Sequence, residues 1–414
     1  MLPTWTMFPF VGLVLSMAFM PMLWPHAWEK RWFQALVVAA CSTPVLWFFL
    51  THGHQAHVAL AGSEYVAFIA TLGALFVTAG GIYANGDLEA TPRTNVLFLL
   101  IGSVLASIIG TTGASMLVIR PLLRTNSQRK NTAHLAPFMI LAVANAGGLL
   151  TPLGDPPLLV GFIGGVPFFW TLRLFPVWLL YVASFAVALY VVDRRAYREE
   201  SAEALARDRR EKKPLEFRGG LNVALLLAII PAAFLPPGFR EIAMFAIAGL
   251  SYFLTARDVH ALNTFSLAPI LEVGLLFAGL FACLVPIELG LAVRAHELPL
   301  QKSWQLFWVS GGLSAVLDNA PTYAAFAALG RGLSQGHAHL VAGVDPLMLT
   351  AVSAGSVVMG ATTYIGNGPN LMVKAIAERS GYALPGFFRY AIFAFLAMLP
   401  AHVVMTTAFV LMER

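Results

Sequence analysis

The sequence predicts an all-α polytopic membrane protein, and three observations lead to that prediction. Of the 414 residues, 58% are hydrophobic and only 11% are charged, whereas a soluble domain carries about 25% charged residues. The mean hydropathy is +0.75. Apolar runs of membrane-spanning length recur along the chain. This composition excludes a soluble globular enzyme, a nucleic-acid-binding domain, a disordered chain and a disulfide-rich scaffold.

Eight apolar runs are uninterrupted. A spanning helix needs roughly 17 to 25 mostly apolar residues, and these runs meet that need or come close to it. The predicted spans are residues 7–23, 32–50, 65–83, 176–192, 221–235, 241–255, 265–287 and 388–410.

Four further apolar stretches are interrupted. Residues 95–123 and 304–329 each carry a small, polar patch in the middle, which predicts two re-entrant hairpins. Residues 133–162 and 347–377 contain Gly/Pro-rich polar sequence, which predicts two helices broken at the membrane midplane. Counting the broken helices as spans, we expect about ten transmembrane helices plus the two hairpins.

Basic residues indicate how the chain is oriented. They concentrate in residues 193–220, whereas residues 51–64 contain no Lys or Arg. Because cytoplasmic loops carry an excess of Lys and Arg, we expect the 193–220 linker to be cytoplasmic. Both termini then lie outside, and we expect a multi-pass protein of the inner (cytoplasmic) membrane.

Two motifs recur in the same order in the two halves of the chain. The first half, residues 1–192, and the second half, residues 221–414, show the same sequence of spans, hairpin, broken helix and final span, begun from opposite sides. This pattern predicts an inverted repeat, as in secondary transporters with a midplane site. The aligned motifs are TTGAS (111–115) with DNAPT (318–322), and GLLTPLGD (148–155) with GATTYIGN (360–367).

The interruptions can supply ligands for a small ion. A broken helix exposes unpaired backbone carbonyls and amides, and carbonyl and hydroxyl oxygens coordinate Na⁺ in such transporters. Four glycines allow the backbone to break: Gly148, Gly154, Gly366 and Gly368. The candidate cation- or substrate-binding side chains are Thr111, Thr112, Ser115, Asn145, Thr151 and Asp155 in the first half, and Asp318, Asn319, Thr322, Thr362, Thr363, Asn367 and Asn370 in the second.

Charged residues in apolar surroundings refine this set. Asp155 and Asp318 are expected to be functional, because a carboxylate at membrane depth is costly. Such a group can hold Na⁺ when ionised and carry a proton when neutral. Glu272 is either a proton or charge partner of the site or an interfacial anchor. Lys374 either balances a charge in the site or reaches the membrane surface.

Several of these segments resemble the ion transporter superfamily. Residues 144–157, ANAGGLLTPLGDPP, resemble its first-half signature, and LDNAPT (317–322) with GNGPNL (366–371) resemble the second. The superfamily includes NhaD-type sodium/proton antiporters, arsenite exporters, and sodium-coupled citrate and dicarboxylate carriers. The sequence is most similar to NhaD-like proteins and to the citrate transporter family. The resemblance implies two cation sites, each at a hairpin tip and its neighbouring break, a homodimer, and an elevator-like movement.

These observations give one leading hypothesis and two alternatives. The leading hypothesis is a secondary transporter that exchanges Na⁺ for H⁺. One cation site would contain Asp318, Asn319 and Thr363, and the other Thr111, Thr112, Asn145 and Asp155.

The first alternative is Na⁺-coupled symport of citrate or another organic anion. The remote alternative is an intramembrane aspartyl protease that uses Asp155 and Asp318 as a dyad. We therefore expect a protein that is not an enzyme and has no cofactor other than Na⁺ as its coupling or transported ion. Its expected partners are Na⁺, H⁺, the lipid bilayer and a second copy, and we expect no nucleic-acid partner.

Overall fold

A computed structural model describes residues 2–413 and confirms the predicted all-α polytopic class. The described part of the chain contains three apolar helices of 10–17 residues, at Leu135–Leu150, Gly220–Ala233 and Pro346–Thr362. Within residues 2–413, seven helices are long and apolar enough to cross a membrane: Thr4–Pro21, Arg31–Thr51, Gln55–Gly80, Pro92–Thr125, Phe168–Arg198, Ala268–Glu297 and Phe387–Met412.

The first half and the linker contain nine α-helices and two strands among the described residues. They are α1 (Phe8–Leu23), α2 (Pro25–Trp28), α3 (Arg31–Thr51), α4 (Gln55–Gly80), β1 (Tyr83–Asp87), α5 (Pro92–Thr125), α6 (Leu135–Ala142), α7 (Pro156–Ile163), α8 (Phe175–Arg198), α9 (Ala202–Arg210) and β2 (Lys213–Arg218).

The second half contains nine further α-helices among the described residues. They are α10 (Gly220–Ala233), α11 (Phe239–Leu254), α12 (Arg257–Leu262), α13 (Ala268–Arg294), α14 (Ser303–Ser314), α15 (Asn319–Leu333), α16 (Pro346–Val358), α17 (Gly368–Arg379) and α18 (Phe387–Met412). Short 3-10 turns lie at Thr4–Met7, Ala146–Leu150, Phe168–Leu174, Ala295–Glu297 and Met359–Thr362.

Helix α5 folds back on itself as a hairpin. The turn is at Gly110, whose φ of 82° is a conformation that residues with a Cβ rarely adopt. At the base, the side chains of Asn95 and Asn126 exchange hydrogen bonds of 3.0 and 2.7 Å, so the two arms end side by side. The second hairpin consists of α14 and α15, which are joined by residues 315–318 and pack on each other.

The two broken helices share their local conformation. In the first, the 3-10 turn Ala146–Leu150 is followed by extended backbone at Thr151 and Asp155, before α7 begins. In the second, the turn Met359–Thr362 is followed by extended backbone at Thr363 and Asn367, before α17 begins. Proline suits the first turn of α7 and α17. The N–H groups of a first turn have no carbonyl acceptor within the helix, so proline loses no hydrogen bond there. Residues 146–155 are called the first break below, and residues 359–367 the second break.

Outside the hairpins and breaks, two of the differences between structure and prediction concern α4 and the linker. Helix α4 begins at Gln55, ten residues before the predicted span 65–83, and ends at Gly80. After it, β1 pairs antiparallel with β2, so the linker is fastened to the first half. Apolar run length alone does not reveal a short polar strand pair. The inverted relation of the two halves stays a prediction.

The linker also docks through helix α9. Asp208 accepts a hydrogen bond of 3.0 Å from the backbone N–H of Ala90, at the start of the first hairpin. Glu89 forms ion pairs with Lys212 (2.7 Å) and Arg209 (3.1 Å). The hydrogen bond from Lys212 contributes most to holding the pKa of Glu89 below its ordinary value. These contacts join the linker to the segment that positions the first hairpin.

Candidate functional site

Asp155 lies where the two hairpins and the two breaks meet, and its side chain is buried (2% exposed). Its Oδ1 accepts hydrogen bonds from Thr111 Oγ1 at 2.8 Å and from Asn367 Nδ2 at 3.2 Å. Its Oδ2 accepts one from Asn319 Nδ2 at 2.6 Å. The three donors come from the first hairpin, the second break and the second hairpin. One carboxylate therefore joins four segments, and its three side-chain donors are all uncharged.

Three asparagines connect the two breaks beside this carboxylate. Asn145 Nδ2 donates to Asn370 Oδ1 at 2.7 Å and to the carbonyl oxygen of Ile140 at 2.8 Å. Asn370 Nδ2 donates to the carbonyl oxygens of Gly360 and Thr363, both at 2.9 Å. Asn367 lies between them and Asp155. The amide hydrogens of Asn145 and Asn370 are thus used within the protein.

The threonines of the breaks fasten each break to the neighbouring hairpin. Thr151 donates to the carbonyl oxygen of Ser107 in the first hairpin. Thr363 donates to the carbonyl oxygen of Ala315 in the second hairpin, at 2.5 Å. The corresponding hydroxyl groups therefore make corresponding contacts in the two halves, and both stabilise the breaks.

Three of the four predicted break glycines are required by close packing. A Cβ on Gly154 would overlap the carbonyl oxygen of Gly148, and one on Gly148 would lie 2.8 Å from Thr111 Cγ2. A Cβ on Gly366 would lie 2.5 Å from the carbonyl oxygen of Gly360. Gly368 differs, because a Cβ there would meet no atom within 4 Å.

Asp318 lies beside this meeting point of hairpins and breaks, called the Asp155 junction or the junction below, and is the N-cap residue of helix α15. Its Oδ1 accepts from the backbone N–H of Ala320 at 3.3 Å, and its carbonyl oxygen accepts from Thr322 Oγ1 at 3.0 Å. The residue is half-buried and lines an open cavity together with Thr112 and Asn367. Asp318 is therefore the more accessible of the two carboxylates.

Two large cavities approach the junction from opposite ends of α4 and α13. The first, of about 390 Å³, contains Asp318 and reaches from Phe76 and Pro269 to Arg379. We call it the Asp318 vestibule.

The second large cavity, of about 370 Å³, is lined by Glu64 of α4, Glu288 of α13, and Tyr323 and Arg331 of α15. We call it the Glu64 vestibule. Helix α7 lines both vestibules, and α15 lines the Glu64 vestibule. The contact between Asp155 and Asn319 adjoins the Asp318 vestibule, because Pro156 and Asp318, their neighbours in the chain, line it. A smaller cavity of about 40 Å³ adjoins Asp155 itself.

Two predicted residues lie apart from this cluster. Glu272 accepts a hydrogen bond of 2.8 Å from Gln34 Nε2, between α13 and α3. Lys374 forms an ion pair of 2.7 Å with Glu378, one turn further along α17. These contacts agree with a structural role for Glu272 and a surface role for Lys374. Thr362 lies half-buried at the end of its 3-10 turn.

Two buried oxygen atoms at the hairpins have no hydrogen-bond partner within residues 2–413. They are Asn319 Oδ1 and Ser115 Oγ. Leaving a buried polar atom unpaired is costly, and a bare amide or hydroxyl oxygen is a suitable ligand for a hard cation. The oxygen-rich donor set of the junction therefore fits Na⁺.

Sequence reasoning missed Ser107 and Ser314, one in each hairpin. Ser107 Oγ donates to the carbonyl oxygen of Gly147 at 2.5 Å, and Ser314 Oγ donates to that of Ser356 at 2.6 Å. Both serines lie four residues before an aligned tip residue, Thr111 or Asp318. Extending the repeat alignment backward by one helical turn would have found them.

The family described as "Putative citrate transport" matches residues 1–410, nearly the whole chain. The chain belongs to this putative citrate transport family. Family membership and the seven long apolar helices identify a multi-pass membrane transporter. A comparison with the curated proteins finds no match.

Proposed function

We propose that this member of the family exchanges Na⁺ for H⁺ at the Asp155 junction. The observation that carries the proposal is a buried carboxylate whose three side-chain partners, Thr111, Asn319 and Asn367, are all uncharged. A buried charge without a counter-charge is expensive, so such a group takes up a proton or binds a cation. Competition between the two ligands for one carboxylate is the basis of exchange.

The junction offers Na⁺ oxygen ligands around Asp155 and Asp318. Asp155 supplies carboxylate oxygens, and the unpaired Asn319 Oδ1 is a further candidate. Asp318 is the carboxylate that faces the larger vestibule. An ion entering from there meets Asp318 first, and the contact between Asn319 and Asp155 lies immediately behind it. We propose that cation and proton are passed between these two carboxylates and the vestibule.

The wider arrangement of the transporter is also part of the proposal. Alternating exposure of the junction to the Asp318 vestibule and the Glu64 vestibule would carry the ion across. We propose two inverted repeats, residues 1–192 and 221–414, in a homodimer of the inner membrane. The linker 193–220 would then be cytoplasmic and both termini would lie outside.

A flux measurement tests the exchange. The purified full-length protein is placed in sealed liposomes with a preset pH gradient and an internal pH-sensitive dye. Adding Na⁺ is expected to collapse the gradient, and Asp318→Asn is expected to abolish the response. Asp258→Asn is the matched control, since Asp258 is an exposed carboxylate that pairs with Arg218 and lines neither vestibule. A wild-type protein that leaves the gradient intact over a panel of Na⁺ and Li⁺ concentrations would contradict the proposal.

Sodium-coupled uptake of citrate or another organic anion is the second candidate. The Asp318 vestibule, at about 390 Å³, has room for such an anion and is lined by Arg120, Arg379 and the exposed start of α17 at Gly368. Helix N-termini favour anions. Against it, Arg120 is already engaged by residues of the α12–α13 connection, including Asn263 and Thr264.

The two functions give different results in the same liposomes. Labelled citrate that accumulates in response to an inward Na⁺ gradient, together with no Na⁺-driven proton flux, would establish symport and remove exchange. Proton flux driven by Na⁺ without citrate accumulation would establish exchange and remove symport.

A further inference from the structure

One face of helix α8 is exposed near its C-terminal end and changes there from apolar to basic. Val187 and Val191 are exposed on consecutive turns of this helix, which is part of one of the long apolar helices. Arg194, Arg195 and Arg198 are exposed as well and continue the same face, because residues three or four positions apart are neighbours on a helix surface. An exposed apolar face on a spanning helix contacts lipid chains, and arginine at a helix end reaches the polar surface. We call these three residues the α8 arginines.

The acidic residues at the same end of α8 are used by other parts of the protein. Asp193 is buried and accepts a hydrogen bond of 2.6 Å from Arg129. Glu199 and Glu200 both accept from Asn131, through its side-chain amide at 3.5 Å and its backbone N–H at 2.8 Å. In the described part of the chain, the ion pairs at this helix end belong to Arg129, and the α8 arginines form none. Three positive charges therefore lie together on the lipid-facing side with no acidic partner.

We propose that the α8 arginines bind the phosphate of an anionic phospholipid headgroup at the membrane surface. A guanidinium group matches a phosphate through two parallel hydrogen bonds. Basic side chains at the end of a spanning helix attract anionic lipid, and the acyl chains of such a lipid would lie along Val187 and Val191. The guanidinium of Arg194 lies 6.0 Å from the ring centroid of Tyr190, and this contact holds it without an acidic partner.

Helix α8 is attached to the segments that surround Asp155. Trp178 Nε1 donates to the carbonyl oxygen of Gly147 in the first break, at 3.3 Å. Asp193 accepts from Asn95 at the base of the first hairpin, at 2.8 Å. A lipid on the α8 arginines is therefore bound to the part of the protein that carries the first hairpin and the first break. This inference does not depend on which ion or anion is transported.

Native mass spectrometry of the full-length protein in detergent measures lipid binding without transport. Phosphatidylglycerol and phosphatidylcholine with identical acyl chains are titrated separately, and the first lipid bound is resolved by its mass. We expect phosphatidylglycerol to bind more tightly to the wild type. Each basic residue at a membrane surface strengthens the attraction about fivefold. The triple variant Arg194→Gln, Arg195→Gln, Arg198→Gln is therefore expected to bind phosphatidylglycerol about a hundredfold more weakly, with phosphatidylcholine binding unchanged.

A second triple variant is the matched control. Arg207→Gln, Arg210→Gln, Lys213→Gln removes the same charge from exposed linker positions outside α8. It is expected to bind phosphatidylglycerol as the wild type does. The single variant Arg198→Gln keeps the test available if the α8 triple variant fails to fold, and about a fivefold loss is expected for it.

Four results would overturn the inference. The first is equal affinity of the wild type for the two lipids. The second is unchanged phosphatidylglycerol binding in the α8 triple variant or, where that variant does not fold, in Arg198→Gln. The third is an equal loss in the two triple variants, which would show that net charge alone attracts the lipid. The fourth is displacement of phosphatidylglycerol by an equal concentration of inorganic phosphate, which would make a free anion the occupant.

Discussion

Replacing Asp155 with asparagine removes a charge while the size of the side chain is kept. The remaining oxygen can still accept from Thr111 and Asn367, at the present 2.8 and 3.2 Å. The new amide nitrogen, however, would face Asn319 Nδ2, which now lies 2.6 Å from Asp155 Oδ2. Two donors would oppose each other there, and one of them would lose its buried partner.

The structure sets the expected size of the effect. One unsatisfied buried donor costs about 1–3 kcal/mol, and removal of the buried charge offsets part of that. Asp155→Asn is therefore expected to fold. Sodium binding should stabilise the wild-type protein by about 2.7 kcal/mol when its concentration is a hundred times the dissociation constant. This increment is expected to vanish in the variant, because the charge that balances the cation is gone.

Thermal unfolding of the purified protein in detergent measures both the stability cost of the substitution and the stabilisation by Na⁺. The midpoint is compared in NaCl and in choline chloride at equal ionic strength, for the wild type, for Asp155→Asn and for the exposed control Asp258→Asn. We expect Na⁺ to raise the midpoint of the wild type and of Asp258→Asn only. Equal stabilisation of Asp155→Asn by Na⁺ would refute the assignment of Asp155 as the cation-binding carboxylate.

Three further predictions concern the stability of the fold, and thermal unfolding checks each of them. Gly154→Ala is expected to destabilise by at least about 1–3 kcal/mol because its Cβ would overlap a backbone carbonyl oxygen, whereas Gly368→Ala, with no atom near its Cβ, should be tolerated. Arg129→Met is expected to cost about 3–5 kcal/mol, because it leaves Asp193 buried without the guanidinium that now lies 2.6 Å away. Burial raises the pKa of Asp208 above its ordinary 3.8, so ionisation of this group destabilises the fold as the pH rises. Asp208→Asn should therefore raise the unfolding midpoint at pH 7 and have a smaller effect towards pH 4. The opposite trend with pH would contradict that reasoning.

The elements of the fold could largely be predicted because lipid imposes a simple rule on the chain. A polar or Gly/Pro-rich interruption in a long apolar run must be covered by protein, which makes hairpins and breaks visible in the sequence. The strand pair Tyr83–Asp87 and Lys213–Arg218 lay outside that rule, since both strands are polar and follow no spanning pattern.

Side-chain partners were harder to predict, because they depend on contacts between distant segments. Asn319 was grouped with Asp318 on the basis of sequence proximity, but its amide binds Asp155, 164 residues away. Asn145 was expected to bind the ion, which stays a prediction; the structure shows in addition that both of its amide hydrogens are used by Asn370 and Ile140. Residue type alone does not tell an ion ligand from a residue that holds a ligand in place.

The contacts among the hairpins and breaks differ in burial from the polar contacts that these segments make with α13 and the connection before it. This difference bears on transport. The contacts among the hairpins and breaks are buried and centred on Asp155, so separating those four segments would leave several buried polar groups unpaired. The polar contacts of the hairpins with α13 and the connection before it are more exposed, such as the ion pair of Arg331 with Glu288 at 2.9 Å. The buried contacts of α15 with α13 are apolar, between Ala320 or Ala324 and the aromatic side chains of α13. An exposed ion pair contributes about 1 kcal/mol or less. A movement that exposes the junction to the opposite vestibule is therefore expected to break the exposed contacts and to carry the hairpins and breaks together as one unit.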